Sequence, residues 1–174
     1  INGKTNFRLN RFDDLVISNE TRAEFLRKAL ELLTEVDLVI FSDFNYGILD
    51  TEMVSSIVSE ARAREIFVSA DCQISSQIGD YSKYKGVDLV TPTEHEVRVT
   101  LRDNSSGLAA IANNFQEQLG APYLLITLGA DGMLLQEKSK VVNSQFLTDS
   151  IPAISEKVTD VAGAGDSVLV VASL

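Results

Sequence analysis

The chain has 174 residues, 45% of them hydrophobic and 23% charged, and its 25 acidic against 15 basic side chains leave a formal net charge of −10. Scattered Lys and Arg in so acidic a chain argue against nucleic-acid binding, which depends on clustered cations neutralising phosphates. No run approaches the roughly 18 apolar residues of a membrane span, and a single Cys72 beside a single His95 leaves no internal disulfide and no structural zinc site.

In chain order, residues 4–12 alternate side chains as a strand does and stand apart from the strand–helix series after them, so residues 1–15 are expected to form a lid or an edge strand. Phe25, Leu26, Ala29, Leu30 and Leu33 mark the apolar stripe of a helix. Residues 37–42 are a short apolar run, the form of a strand buried on both faces of a parallel sheet. Asp50 is placed to cap a second helix, with Met53, Val54, Ile57, Val58 and Ala61 as its stripe. Residues 66–69 and 87–91 repeat the strand signal, and Thr93 with Glu96 has the spacing of a capping box that opens another helix. A helix over 108–119 is expected to start at Ser105 or Ser106 and to stop at Gly120 ahead of Pro122. Residues 123–127 form a further strand, and 133–136 with 140–143 flank a polar turn as an antiparallel hairpin. Alternation of strand and helix predicts one α/β domain over 1–174 with a mostly parallel sheet, and the hairpin makes that sheet mixed.

The candidate chemistry gathers at the ends of these strands. Val161-Ala162-Gly163-Ala164-Gly165-Asp166-Ser167 runs straight into an apolar helix, and small residues there let a ligand approach the free amide N–H groups and positive dipole end of a helix start. An anion fits that place. Asp166 would compete with a bound phosphate unless it took a proton from a hydroxyl attacking that phosphate; equally, the glycines serve tight packing and Asp166 is a favourable first-turn acid. Thr127-Leu128-Gly129-Ala130-Asp131-Gly132 follows a strand, and its glycines allow a backbone turn close to a nucleotide or a plain connection into the hairpin. Glu96 is explained by the capping box alone, or else holds a magnesium-bound water. Asp43, Asn45 and Asp71 follow strands at the same edge and could line the crevice in which open α/β sheets bind ligands. His95 reads as a surface residue and Cys72 as a small filler.

The segment from Asp160 to Ser167 resembles the second signature of the ribokinase-like (PfkB) carbohydrate kinases. Ser42-Asp43-Phe44-Asn45-Tyr46-Gly47 is similar to that family's Ser-Asp-Tyr-x-x-Gly, Thr91-Pro92-Thr93-Glu94-His95-Glu96 to its Thr-Pro-Asn-x-x-Glu, and residues 127–132 to its Thr-x-Gly-x-x-Gly. Within the family the set is most similar to heptose-phosphate kinases. The resemblance implies a three-layer α/β/α sandwich and transfer of the γ-phosphoryl group of ATP to a sugar or sugar-phosphate hydroxyl. It implies Asp166 as general base, the backbone of Gly163, Ala164 and Gly165 as anion hole, and Thr93, Thr127, Gly129 and Gly132 at the nucleotide. Glu96 would act on Mg2+ through water, and a monovalent cation, K+, would lie near Asp160.

The sequence departs from that pattern at Thr93, where the family usually has Asn, at Tyr46, where the heptose kinases have Lys, and at Asp71-Cys72-Gln73, which replaces an Asp-Pro-Lys. Substrate identity is therefore left open, and a noncatalytic sugar- or nucleotide-binding domain is the competing expectation. The start Ile1-Asn2-Gly3-Lys4 lacks signal-peptide features, which predicts a cytoplasmic protein. A chain that opens without Met and stops at Ser173-Leu174 inside an apolar run is expected to be part of a longer polypeptide. Pairing of the lid strand with a second subunit would make a homodimer.

Overall fold

The computed structural model describes residues 17–74, 80–139, 146–153 and 163–174. The expected lid at 1–15 and the expected strand at 140–143 lie outside the described residues. α1 (Asn19–Leu32) starts where Ser18 Oγ accepts the Thr21 N–H at 3.1 Å, and α2 (Thr51–Ala63) where Asp50 accepts the Met53 N–H at 2.8 Å. Arg22 pairs with Asp50 and so ties α1 to the start of α2. Every residue of the expected α2 stripe is buried. The α1 stripe is covered less well, with Phe25 still 45% exposed, and α1 packs mainly against α2.

β1 (Leu38–Asp43), β2 (Phe67–Cys72), β3 (Leu89–Val90), β4 (Tyr123–Thr127), β5 (Met133–Lys138) and β6 (Phe146–Ile151) form one sheet in sequence order. The first four are parallel and the last two antiparallel. A 3-10 turn at Tyr81–Tyr84 leads into β3, and α3 (Glu94–Leu101) and α4 (Leu108–Leu119) connect β3 to β4. α5 (Ala164–Ser173) comes last.

Side chains of a strand alternate between faces, and here the two faces meet different helices. Phe41, Val68, Ala70, Val90, Leu124 and Ile126 join the α2 and α4 stripes in the main core. Leu38, Phe67, Leu89, Tyr123 and Leu125 share a groove on the opposite face with the end of α5. Right-handed crossovers put successive connecting helices on one side of a sheet that grows in one direction. The expected sandwich with a mostly parallel sheet and an antiparallel hairpin is the fold observed.

Two local expectations are corrected. The N-cap of α4 is Gly107, with no side-chain hydrogen bond, and not Ser105 or Ser106. Both serine amides donate to Asp103 Oδ1, at 3.0 and 2.9 Å, so they close a turn before the helix starts. Besides β4, β5 pairs with β6, and it runs on to Lys138 through the polar stretch read as a turn. Pairing along the whole of β4 carries that stretch.

Candidate active site

All four parallel strands end at one edge of the sheet, and α5 begins there, packed on β1 and β2. Gly163 caps α5 in the left-handed conformation, φ 76°, with no side-chain hydrogen bond to the first turn. Among the described residues nothing lies within 4 Å of where a Cβ at Gly163 would sit. The first-turn amide N–H groups of α5 thus have no side-chain cap among the described residues, and with the helix dipole they can attract an anion. Ser167 folds back, its N–H and Oγ both bonding to the Gly163 carbonyl, at 3.0 and 2.8 Å.

Under this helix start lies a row of polar side chains. Ser42 is in register with Asp71, and Ala70 with Val90, so the next position sets Thr91 beside Asp71. Ser42 Oγ donates to Asp166 Oδ1 at 3.3 Å. Asp71 Oδ1 accepts the Tyr81 hydroxyl at 3.0 Å, and its Oδ2 lies 4.0 Å from where a Gly165 Cβ would be. Burial raises the Asp71 carboxyl to about 6, with the charges of Glu96 and then Asp166 adding to the rise and the Tyr81 hydrogen bond opposing it. Thr91 is 4% exposed, and among the described residues its hydroxyl has no hydrogen-bond partner.

The pleat turns Asp43 the other way. It pairs in register with Cys72 on the α2 side, where Oδ2 accepts the Tyr84 hydroxyl at 2.8 Å and forms an ion pair with Lys83. Asp43 Oδ1 accepts the Asn45 N–H at 2.8 Å. Lys83 Nζ also donates to Asn45 Oδ1 and to the Leu49 carbonyl, each at 3.0 Å, which uses all three of its donors. Asn45, in the left-handed region at φ 56°, donates to the Gln73 carbonyl at 2.6 Å. Asp43 and Asn45 thus knit together the loops after β1 and β2, while Asp71 faces α5. Burial pushes the Cys72 thiol up to about 12, which leaves it inert, in line with its reading as a filler.

At the next two strand ends the capping box is formed in full. Thr93 Oγ1 accepts the Glu96 N–H at 3.2 Å and Glu96 Oε2 accepts the Thr93 N–H at 2.7 Å. By sequence spacing Glu96→Gln is expected to weaken magnesium-dependent turnover more than folding, because Gln also completes such a box. The structure adds a cost to folding, since Glu96 Oε1 accepts the Ile74 N–H at 3.1 Å and an amide NH2 would set donor against donor. Glu96→Gln is expected to cost about 1–3 kcal/mol of stability without any ligand, the loss typical of an unsatisfied buried donor. Urea denaturation checks this, and an unchanged midpoint would remove the Ile74 bond from the account.

Thr93 and Thr127 form a parallel bridge, which sets the turn after β4 beside the capping box. Gly129, φ 63°, has no described residue within 4 Å of where a Cβ would sit, as an approach to a ligand needs. Gly132, φ 93°, does not. A Cβ there would meet the Ile151 carbonyl oxygen at 2.1 Å and the Ala153 nitrogen at 2.7 Å, so its glycine is demanded by the hairpin itself.

The structure therefore gathers Asp71, Asp166 and Gly163–Gly165 at one end of the edge, and Thr93, Glu96, Thr127 and Gly129 next to them. Asp160 lies outside the described residues. Among the described residues no group of three or more His, Cys, Asp and Glu side chains is arranged to hold a metal ion. Sequence reasoning missed Lys83, Tyr81 and Tyr84, which carry no motif and lie about forty residues from Asp43. A wedge of buried aromatics, Tyr81 against Phe115 at 5.3 Å and against Tyr84 at 6.2 Å, aims their hydroxyls at the strand ends.

Comparison with known proteins agrees with this architecture. The bifunctional protein HldE of Helicobacter pylori is 31% identical over 156 residues, covering 88% of this chain and 31% of HldE. The structure of ribokinase from Giardia lamblia superposes with a TM-score of 0.65 at 15% identity, over 84% of this chain and 44% of the kinase. Phosphofructokinase-2 from Escherichia coli, crystallised with substrates and products, gives 0.63 at 18% identity, over 83% and 46%. The chain spans about a third of the curated relatives it matches and under half of these solved structures, which establish the fold. The pfkB family carbohydrate kinase model matches residues 3–172. With nearly the whole chain matched, and with the motifs lying on one edge of the expected sheet, this chain belongs to the pfkB family of carbohydrate kinases.

Proposed function

We propose that the chain transfers the γ-phosphoryl group of ATP to a hydroxyl of a sugar or sugar phosphate. The observation that carries this reading is the start of α5, a helix end that has no side-chain cap among the described residues and holds Asp166 in its first turn. That cradle fits an anion. The amide N–H groups of Gly163, Ala164 and Gly165 would hold the transferred phosphoryl group, and Asp166, fixed by Ser42, would take the proton from the attacking hydroxyl. Gly129 with Thr127 would admit the nucleotide, whose length along the edge from β2 to β4 is two strand spacings, roughly 10 Å.

Glu96 keeps a second lone pair on each oxygen after its two backbone bonds, which suits a metal held through water and not directly. A bound Mg2+ would supply charge neutralisation on the phosphates. K+ near Asp160 and a homodimer through residues 4–12 belong to the same proposal. Asp71 is its best-placed candidate for contact with the acceptor, because it faces the helix start. Asp43 and Asn45 would act on that acceptor by shaping the loop. The test is a transfer assay with radiolabelled ATP and magnesium over neutral sugars and sugar phosphates. Label that remains in ATP with every acceptor would leave the binding-domain alternative standing.

A further inference from the structure

We propose that the Thr91 hydroxyl is a ligand-binding group, a hydrogen-bond donor to a phosphate oxygen of the nucleotide; this rests on the phosphoryl-transfer reading. Buried hydroxyls are almost always paired, because leaving one unpaired costs stability. Thr91 is 4% exposed. Among the described residues buried side-chain oxygens of Thr91, Thr100, Gln116 and Gln136 lack a partner, and of these four residues only Thr91 closes a strand at the edge where a ligand is expected.

Its direction follows from the pleat. Leu89 lines the α5-side groove and Val90 the main core, so Thr91 returns to the α5 side, the side of Ser42 and Asp71. Its backbone N–H bonds to the Ala70 carbonyl at 3.2 Å, which fixes it against the end of β2. Gly165 stands over β2, Gly129 follows β4, and β3 lies between them. A polyphosphate that runs from the α5 start to Gly129 must cross the end of β3. Thr91 offers the donor there. The capping box engages Thr93 and Glu96 Oε2, and the Ile74 N–H engages Glu96 Oε1, whereas no described residue partners the hydroxyl of Thr91.

The variant is Thr91→Val, which keeps the branched shape and removes the hydroxyl. Stability and affinity should move in opposite senses. Without ligand, the melting temperature should stay level or rise, since an unpaired polar group has gone. By calorimetry, affinity for MgADP and for magnesium tripolyphosphate should each fall about tenfold, the loss expected for one hydrogen bond to a charged oxygen. Equal affinity of the variant and the native protein for both probes would overturn the assignment. So would a clear fall in melting temperature or a failure to fold, because the hydroxyl would then have an internal partner. If the native protein binds neither probe, the phosphoryl-transfer reading falls and this inference with it; if the native protein binds and the variant binds equally, the inference alone falls.

Discussion

Gly132→Ala is expected to lower stability by about 3 kcal/mol or more, the combined scale of left-handed strain at a non-glycine residue and of overpacking. The new methyl would meet the Ile151 carbonyl oxygen at 2.1 Å, the Ala153 nitrogen at 2.7 Å and the Pro152 carbonyl carbon at 2.8 Å. All three are backbone atoms, so no side chain can swing aside, and relief would need β6 to shift against β5. For a domain of this size the loss corresponds to a fall in melting temperature of roughly 6–12 °C. Gly129→Ala is the control. It also has positive φ, 63°, but no described residue within 4 Å of the added methyl, so it should cost only the conformational penalty, roughly 1 kcal/mol. Scanning calorimetry on both variants decides between them, and equal losses would mean that the close approach of Gly132 to residues 151–153 does not persist in solution. The contrast bears on function, because two glycines three apart look like a single nucleotide-binding turn. Packing separates them, and assigns one to the hairpin and the other to the cleft.

That separation shows where the sequence is legible and where it stops. Four parallel strands, their stripes and the caps at Asp50 and Thr93 follow from local chemistry: apolar runs, helical periodicity, and side-chain oxygens ahead of helix starts. The convergence of motifs on one edge follows as well, since parallel strands with crossover helices all end on the same side. Which face each residue takes does not follow. Asp43 and Asp71 both close apolar strands and carry the same side chain, and in register Asp43 stands against Cys72 while Ser42 stands against Asp71. One residue of offset sends Asp43 to Lys83 and Tyr84 and leaves Asp71 under α5. Lys83 is unreadable for a related reason. Its value lies in three acceptors at 43, 45 and 49, and nothing in Tyr81-Ser82-Lys83-Tyr84 announces them. Ser105 and Ser106 fail in the opposite sense, for Asp103 takes their amides before either hydroxyl can cap α4.

Asp166→Asn should abolish most turnover and leave the fold intact. Asn keeps the size of the side chain and an oxygen to accept the Ser42 hydroxyl, which Asp166 Oδ1 now accepts at 3.3 Å, so the start of α5 should hold its shape. What disappears is the proton acceptor. General-base catalysis contributes roughly 10²–10⁴-fold, so kcat should fall at least about 100-fold while the melting temperature changes little. A second readout comes from Asp71, whose carboxyl is raised to about 6, in part by the charge of Asp166. Removal of that charge should lower the Asp71 value, and a carboxyl-specific NMR titration would follow it. Nucleotide binding should survive or tighten slightly, since one negative charge has left the anion site. A pure binding domain makes a different forecast: phosphate ligands bind better to the uncharged variant and no transfer is lost, because none occurs. Kinase assays and calorimetry on the native protein and this one variant therefore tell base from bystander. Turnover that is present and unaffected by the substitution would place the proton acceptor elsewhere and return Asp166 to the role of an acid favoured by the helix dipole.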